Sequence, residues 1–245
     1  MDRDKLKGFL KKLRLQESKR CLDEILDYSQ KESLSHEEFL NELLTREIDS
    51  KTDKKIQRLL KESGLDLRKT LESFDMTRLT PRLLGQVKNL RRGEFLKRQE
   101  NILVFGNPGS GKSHLLSGIC QELCRREHRI LFKKCEDMVE ILLQQKADLK
   151  LSEYLKKLKK YDLIFIDDIG YVQKSREEME VLFSLLDHRY ERGSVVITSN
   201  LMFSQWEQIF KDPMTTVAVI DRVVHHSVIL EMNISSYRAE KAKEC

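Results

Sequence analysis

The sequence predicts an α/β fold in which a parallel five-stranded sheet is flanked by helices and preceded by a small all-α domain. Short apolar runs alternate with helical patterns after residue 100, and no strand pattern precedes residue 101. Apolar strands separated by helices are typical of a parallel sheet that is covered on both faces. The predicted strands are 101–105, 129–132, 163–166, 194–198 and 227–232, and the predicted helices between them are 112–126, 136–146, 152–160 and 176–191.

Helical periodicity dominates the first part of the chain. One amphipathic face is predicted from the i, i+3, i+4, i+7 positions Leu6, Phe9, Leu10 and Leu13. Ser35 and Glu38 form a capping-box signature ahead of an apolar stripe, and Gly64 is placed to end a later helix. That stripe consists of Phe39, Leu40, Leu43 and Leu44. We therefore predict a helical domain over 1–77, a basic linker or helix over 78–98 and an α/β domain over 99–245.

Composition and segment lengths exclude several classes of protein. A chain of 245 residues can bury a full core. No apolar run approaches the ~18 residues of a membrane helix, and the N-terminus is too charged for a signal peptide. The five cysteines are odd in number and have no Cys-x-x-Cys spacing, which argues against a disulfide framework or a zinc site. We expect a cytoplasmic protein without a membrane partner.

Positive charge is concentrated in the first part of the chain. Residues 1–100 carry 24 basic and 19 acidic residues, whereas residues 101–245 carry 21 of each. A stretch near the domain boundary holds seven bases against Glu94, and these are candidates for phosphate contacts with DNA. They are Arg78, Arg82, Lys88, Arg91, Arg92, Lys97 and Arg98. The alternative is an ordinary solvated helix face.

A phosphate-binding loop is predicted directly after the first strand. Residues 106–113 read GNPGSGKS and match the pattern G-x-x-x-x-G-K-[ST] in full. Glycines allow successive N–H groups to face phosphate oxygens, and a helix beginning at Lys112 adds its positive N-terminal end. Lys112 can reach the β- and γ-phosphates, and the Ser113 hydroxyl can bind Mg²⁺. The alternative is a structural glycine turn. It is disfavoured because an apolar strand precedes the motif and a helix follows it, which is the context of a phosphate-binding loop.

Two adjacent carboxylates end the third predicted strand, in the stretch LIFIDDIG (163–170). We expect this strand to lie beside the strand that precedes the phosphate-binding loop. Asp167 would then hold the Mg²⁺, and Asp168 could polarise the attacking water as a general base. The alternative for Asp167 is a turn or helix cap, since this sequence is also typical of turns.

Further polar candidates lie downstream. Asn200 follows the fourth strand and could bind the attacking water or the γ-phosphate, although the same sequence is an ordinary exit from a strand. Arg222 lies in an apolar run, either as a surface residue or as an arginine aimed at a neighbouring subunit's nucleotide. Core packing is predicted for the i, i+3, i+7 set Phe203, Trp206 and Phe210, and packing or backbone bonding for His225 and His226.

Several of these stretches together resemble the IstB-type helper ATPases of bacterial insertion sequences, which belong to the AAA+ class and are related to DnaC helicase loaders. The resemblance rests on ILVFGNPGSGKSHL, LIFIDDIGY, LLDHRYERGSVVITSNLMFSQWEQIF, VIDRVVHHSVIL, the SYR of 236–238 and, in outline, the N-terminal region with TLESFD (70–75). It covers most of the chain.

The resemblance implies a role for each matching residue. Nucleotide binding falls to Gly106, Asn107, Pro108, Gly109, Ser110, Gly111, Lys112, Ser113 and His114. Ser113 and Asp167 would bind Mg²⁺, and Asp168, Asn200 and Arg222 would act in hydrolysis, with Arg222 supplied in trans across a subunit interface. Most AAA+ enzymes have Glu where Asp168 stands, and the shorter side chain leads us to expect slow hydrolysis.

The family resemblance also implies partners. IstB-like proteins bind duplex DNA as ATP-dependent homo-oligomers, help to select or remodel the target, and stimulate a DDE transposase. We expect the N-terminal helices and the bases of 78–98 to contact DNA phosphates without reading the sequence. The alternatives are a DnaC-like loader of a replicative helicase and an ATP-gated DNA scaffold with little hydrolysis. Few residues follow Arg222, so no C-terminal lid domain is expected. We therefore expect ATP to be held well only when a neighbouring subunit closes the site.

Overall fold

The computed structural model describes residues 2–170, 175–202, 205–206 and 213–237. By packing, the chain divides into a unit of Met1–Arg58 and a unit of Leu59–Cys245. The helices are α1 (Arg3–Lys12), α2 (Gln16–Glu32), α3 (His36–Ser63), α4 (Pro81–Arg91), α5 (Glu94–Lys97), α6 (Lys112–Arg125), α7 (Cys135–Ala147), α8 (Leu151–Leu158), α9 (Arg176–Arg189) and α10 (Pro213–Val224). The strands are β1 (Asn101–Phe105), β2 (Ile130–Lys134), β3 (Leu163–Asp167), β4 (Ser194–Ser199) and β5 (Ser227–Glu231).

The first unit is helical, as predicted. Its core consists of Cys21, Leu22, Ile25 and Leu43, with Leu6, Leu10, Leu26 and Phe39 packed around it. The capping box is confirmed, because Glu38 N–H donates to Ser35 Oγ at 3.2 Å and Ser35 N–H donates to the Glu38 carboxylate at 2.8 Å. The predicted apolar faces are wider than the buried ones, since Phe9, Leu13, Leu40 and Leu44 are exposed.

The second unit contains a five-stranded parallel sheet in the order β2-β3-β4-β1-β5. Alternate residues of a strand face opposite sides of a sheet. Leu103, Phe105, Ile164 and Ile166 therefore enter a core shared with α7, α8, α9 and α10. The predicted parallel α/β fold with a helical region before it is confirmed.

The prediction that the acidic strand β3 lies beside β1 is wrong. β3 pairs with β2 and β4, whereas β1 pairs with β4 and β5, so β4 separates the acidic strand from the strand before the loop. Hydrophobic periodicity identifies the strands but does not indicate which strands pair with each other. The carboxyl ends of parallel strands still share one edge of the sheet, so the loop after β1 and the acids after β3 remain close.

Residues 65–77 pack onto α6, although the prediction grouped them with the N-terminal helices. The Gln121 side-chain amide donates to the carbonyls of Asp66 at 3.2 Å and Lys69 at 2.9 Å. A Cβ added to Gly118 would lie 2.8 Å from the Leu71 side chain, so α6 and this segment touch closely. The division by packing therefore falls inside α3, before residue 65.

Trp206 is fully buried, and its ring lies 6.3 Å from that of Phe105. Its indole N–H donates to the Leu201 carbonyl at 3.2 Å. This agrees with the predicted packing role, whereas Phe203 and Phe210 lie outside the described residues. No helix within the described ranges is long and apolar enough to cross a membrane.

A buried arginine ties together the loops at the amino edge of the sheet. The Arg189 guanidinium donates to the carbonyls of Tyr161 at 2.9 Å, Asp162 at 3.1 Å and Ser194 at 3.0 Å. A Cβ at Gly193 would collide with this guanidinium, which explains the glycine. Arg189 therefore acts as a structural clamp between the end of α9 and the starts of β3 and β4.

Replacing Arg189 with alanine is expected to lower the free energy of unfolding by about 3 kcal/mol, because several buried carbonyls lose their donor. Urea denaturation measures this change. The control is Arg192→Ala, which removes an exposed guanidinium with one long bond to the His188 carbonyl. Equal losses in the two variants would contradict the clamp.

Candidate nucleotide site

The loop between β1 and α6 has the conformation that phosphate binding requires. Gly109 and Gly111 have φ values of 82° and 92°, in the left-handed region that favours glycine. Gly111 also packs closely, since a Cβ there would lie 2.8 Å from the Phe74 ring. No side chain caps the N-terminus of α6, so its backbone N–H groups remain available to an anion. Asn107 and Pro108 form the exposed tip of the loop.

Lys112 is buried at the base of this loop, with 9% of its surface exposed. Its ammonium donates to the carbonyls of Gly106 at 2.6 Å and Asn107 at 3.0 Å. Burial lowers the pKa of Lys112, while the charges of Asp168 and Asp167 act in the opposite direction. The Ser110 hydroxyl is buried and has no hydrogen-bond partner among the described residues. A buried cation and an unpaired hydroxyl fit a phosphate group.

Asp167 joins three elements of the unit. One of its carboxylate oxygens, Oδ1, accepts from the Ser113 hydroxyl and from the Thr198 hydroxyl, each at 2.6 Å. Ser113 belongs to α6 and Thr198 to the intervening strand β4. Thr198 therefore bridges the gap that β4 creates between the loop and the acidic strand. A carboxylate beside a hydroxyl at this position is a donor set that suits Mg²⁺.

Asp168 has an unusual backbone that Thr198 also stabilises. Its φ is 69°, and its N–H donates to Thr198 Oγ1 at 2.8 Å. Burial of the carboxylate and the adjacent charge of Asp167 raise the pKa of Asp168, whereas Lys112 lowers it. The two acids are thus held in different environments, and only Asp167 shares its carboxylate with the loop's serine.

Asn200 lies beside the turn that follows these acids. Its Oδ1 is buried without a partner among the described residues, and a Cβ at Gly170 would collide with it. The predicted polar residue thus approaches the acidic turn through its side chain. The role of Thr198, two residues earlier, was not predicted; the available signal was a hydroxyl that directly follows the apolar run Val195–Ile197 near the carboxyl end of the strand.

A cavity of about 210 Å³ opens beside the loop. Gly109, Gly111, Lys112, Ser113 and His114 form one wall, and Lys69, Ser73, Phe74, Asp75, Arg78 and Tyr237 form the other. The His114 ring stands edge-on to Phe74, with centroids 5.5 Å apart, and its Nε2 lies 3.0 Å from the Thr70 carbonyl. The sequence assigned no role to this second wall.

The chain after β5 returns to the loop. Tyr237 N–H donates to the Gly109 carbonyl at 3.1 Å, and the Arg78 guanidinium donates to the Ser235 carbonyl at 2.8 Å. Arg78 also lies over the Tyr237 ring, 5.2 Å from its centroid. Arg78 lines the cavity, and its predicted contact with DNA stays a prediction. The residues after β5 thus contribute to the wall of the cavity beside the phosphate-binding loop.

Arg222 lies outside the lining of this cavity. It is on α10, where its Nε donates to Asp187 Oδ1 at 2.8 Å and its guanidinium lies over the Phe183 ring at 4.9 Å. Asp187 and Phe183 belong to α9. The structure therefore holds this arginine against its own chain, and a role in a neighbouring subunit's site stays a prediction.

The basic stretch of 78–98 is partly neutralised by local acids. Arg91 makes two bonds to the Glu122 carboxylate at 2.7 and 2.8 Å. Lys97 pairs with Glu94, and Arg98 pairs with Glu100. Within the part of the chain that the structure describes, the exposed bases of this stretch without an ion pair are Arg82, Lys88 and Arg92.

Fold and site together define a P-loop nucleotide-binding protein with the fold of AAA+ proteins. Among solved structures, the chain is similar to the DnaC helicase loader, with a TM-score of 0.58 and 15% identity over 69% of this chain and 98% of that one. It is also similar to AMPPCP-bound DnaA from Aquifex aeolicus, with a TM-score of 0.59 and 19% identity over 74% of this chain and 56% of that one.

The chain belongs to the IstB-like ATP-binding protein family, whose pattern matches residues 8–245. It is 38% identical to an insertion-sequence ATP-binding protein of Sinorhizobium fredii, over all of this chain and 82% of that protein. It is 31% identical to an IS21 ATP-binding protein of Pseudomonas aeruginosa, over 98% of this chain and 90% of that protein. The family predicted from the motifs is confirmed.

Replacing Thr198 with valine is expected to weaken Mg²⁺-dependent nucleotide binding about 10- to 100-fold, because Asp167 and the Asp168 N–H lose the hydroxyl that orients them. Calorimetric titration with a slowly hydrolysed ATP analogue, with Mg²⁺ and with EDTA, measures the effect. The control Thr198→Ser keeps the hydroxyl and should bind normally. A similar loss in both variants would contradict a role that is specific to the hydroxyl.

Proposed function

We propose that this protein is the helper ATPase of an insertion sequence, which binds and hydrolyses ATP, assembles on duplex DNA and recruits a transposase. The observation that carries the proposal is the pairing of Asp167 with Ser113 beside the buried Lys112. This set of groups is what a phosphate-binding loop needs to hold a nucleoside triphosphate with its metal.

The two walls of the cavity suit the two ends of the nucleotide. The loop N–H groups and Lys112 would bind the phosphates, and Ser113 with Asp167 would hold Mg²⁺. The base would lie toward Phe74 and Tyr237, whose rings offer apolar contact. His114 would support the base wall through its bond to Thr70, since the loop and that segment meet there.

Hydrolysis would depend on polar residues at the carboxyl edge of the sheet, beside the phosphate-binding loop. The carboxylate of Asp168 would accept a proton from the attacking water, and the Asn200 amide would orient that water. Bound Mg²⁺ would offset the negative charge that develops on the phosphate oxygens. Arg222 would act on the nucleotide of a neighbouring subunit, after leaving Asp187 or by reaching past it.

Transposition is favoured over helicase loading by the relatives. The two proteins compared above, which span nearly the whole chain, are both named for insertion sequences. The likeness to the DnaC loader is at 15% identity and supports a shared fold alone. We therefore propose a transposase as the protein partner and duplex DNA as the nucleic-acid partner.

The variant Asp168→Asn is expected to bind ATP but to lose at least about 100-fold in turnover, because the general base is removed. Phosphate release at saturating ATP, with and without duplex DNA, provides the measurement. Asp137→Asn, an exposed acid in the first turn of α7, is the control. Turnover that survives in Asp168→Asn would remove Asp168 from the mechanism, and a wild-type protein without turnover would favour the scaffold alternative.

Mixing two inactive variants tests the action of Arg222 in trans. Asp168→Asn and Arg222→Ala should each lose hydrolysis, and an equal mixture should recover it at roughly a quarter of the sites, where an intact Asp168 meets a neighbour's intact Arg222. Phosphate release and the size of the assembly are measured in the same samples. A mixed assembly that forms but stays inactive would place Arg222 in its own subunit's site.

A further inference from the structure

The amino edge of the sheet, opposite the nucleotide cavity, gathers bases from three helix ends. α6 ends at Arg125 and leads into β2, α8 ends among lysines before β3, and α9 leads into β4. We call this set the basal basic surface, and it consists of Arg125, Arg126, Arg129, Lys156, Lys157, Lys159, Lys160 and Arg192. The bases come from three separate segments, so no single run in the sequence indicates the surface.

Internal contacts fix these three segments together. Asp162 N–H donates to the Arg129 carbonyl at 2.8 Å, and Arg129 N–H donates to the Asp162 carboxylate at 2.8 Å. The buried Arg189 then links residues 158–162 to the start of β4. Burial lowers the pKa of His188, and the charges of Lys159 and Arg192 lower it further, which places both near one imidazole.

The surface carries a large and largely unneutralised excess of charge. Segments 125–129, 156–162 and 189–192 hold nine bases and three acids, an excess of six, whereas the net charge of the whole chain is +5. All eight bases of the basal basic surface are exposed, and none forms an ion pair with any residue that the structure describes. One base at each helix C-terminus is enough to complement the helix dipole. The number of bases at these three helix ends is larger than that, which indicates another role for them.

The chemistry of the surface favours a phosphate backbone. None of the exposed large hydrophobic residues of the described chain lies in these three segments, so the apolar anchors typical of protein interfaces are missing there. Tyr161 and Tyr190 are only partly exposed; Lys160 lies over the Tyr161 ring, and Tyr190 neighbours His225. Free aromatic platforms for the bases of a single strand are therefore also absent from these segments.

We propose that the basal basic surface binds the phosphodiester backbone of duplex DNA. This inference rests on the proposed DNA-dependent function and assigns its contact surface to the amino edge of the sheet rather than to the basic stretch of 78–98. In that stretch, Arg91, Lys97 and Arg98 already pair with carboxylates of this chain. Lysines and arginines without such pairs can neutralise phosphates without first giving up an ion pair, and the resulting release of counterions from the DNA drives binding.

The position of the surface separates it from the nucleotide. The strands are five or six residues long, so their two ends lie roughly 15 to 20 Å apart at about 3.3 Å per residue. DNA on the basal basic surface would therefore not compete with ATP for space. Substitutions there should leave nucleotide affinity unchanged when DNA is absent, which makes a lost DNA contact distinguishable from a damaged fold.

The test compares two triple variants of the full chain. Lys156→Gln, Lys157→Gln and Lys159→Gln neutralise the end of α8, and the matched set Arg82→Gln, Lys88→Gln and Arg92→Gln neutralises the unpaired bases of 78–98. Fluorescence anisotropy with a labelled duplex of mixed sequence is recorded over a salt series at saturating ATP analogue. The α8 set should flatten the slope of log K against log salt by about 2 to 3 units, and the matched set should keep the wild-type slope.

The possible results distinguish a wrong surface from a wrong function. An α8 set with the wild-type slope, unchanged nucleotide affinity and unchanged thermal midpoint would overturn the proposed surface while leaving DNA binding intact. A wild-type protein that binds no duplex would instead overturn the DNA-dependent function. A flattened slope seen only with single-stranded DNA would overturn the choice of duplex. The pair Arg126→Gln and Arg129→Gln, on another helix end, should flatten the slope independently, by about 2 units.

Discussion

The carboxylate of Asp167 is the interaction on which the nucleotide site depends. Two hydroxyls reach the same oxygen, one from the first turn of α6 and one from β4, so a single acceptor joins the loop, the acidic strand and the strand between them. Thr198 makes this possible, because β4 separates the two functional strands and its hydroxyl closes the gap while also accepting from Asp168 N–H. The positions of Ser113, Asp167 and Asp168 thus follow from one strand order.

The sequence predicted the strands of the sheet to within two residues, because each is an apolar run bounded by helical periodicity. It could not predict that β4 lies between β1 and β3, since pairing is a property of packing across the whole unit. The nucleotide loop and the acids were found because their residue types and spacing carry chemistry. Thr198, Phe74 and Tyr237 were not, because their contacts join segments that are far apart in the chain.

Charge in the sequence and charge available to a partner differ in this protein. The stretch of 78–98 holds seven bases against the single acid Glu94, yet Arg78 lines the cavity and Arg91 is held by Glu122. The bases around the amino edge of the sheet are dispersed in sequence and come together only in the folded unit. Counting charges along a chain therefore locates a basic surface poorly when helix ends from several segments converge.

The buried Trp206 gives the protein a natural optical probe. It is the single tryptophan of the chain, and its ring packs against Phe105, the residue immediately before the phosphate-binding loop. Its indole N–H is held by the Leu201 carbonyl, just beyond Asn200. The emission of one fluorophore therefore originates between the phosphate-binding loop and the polar end of β4. Intrinsic fluorescence can follow events in this site without any label.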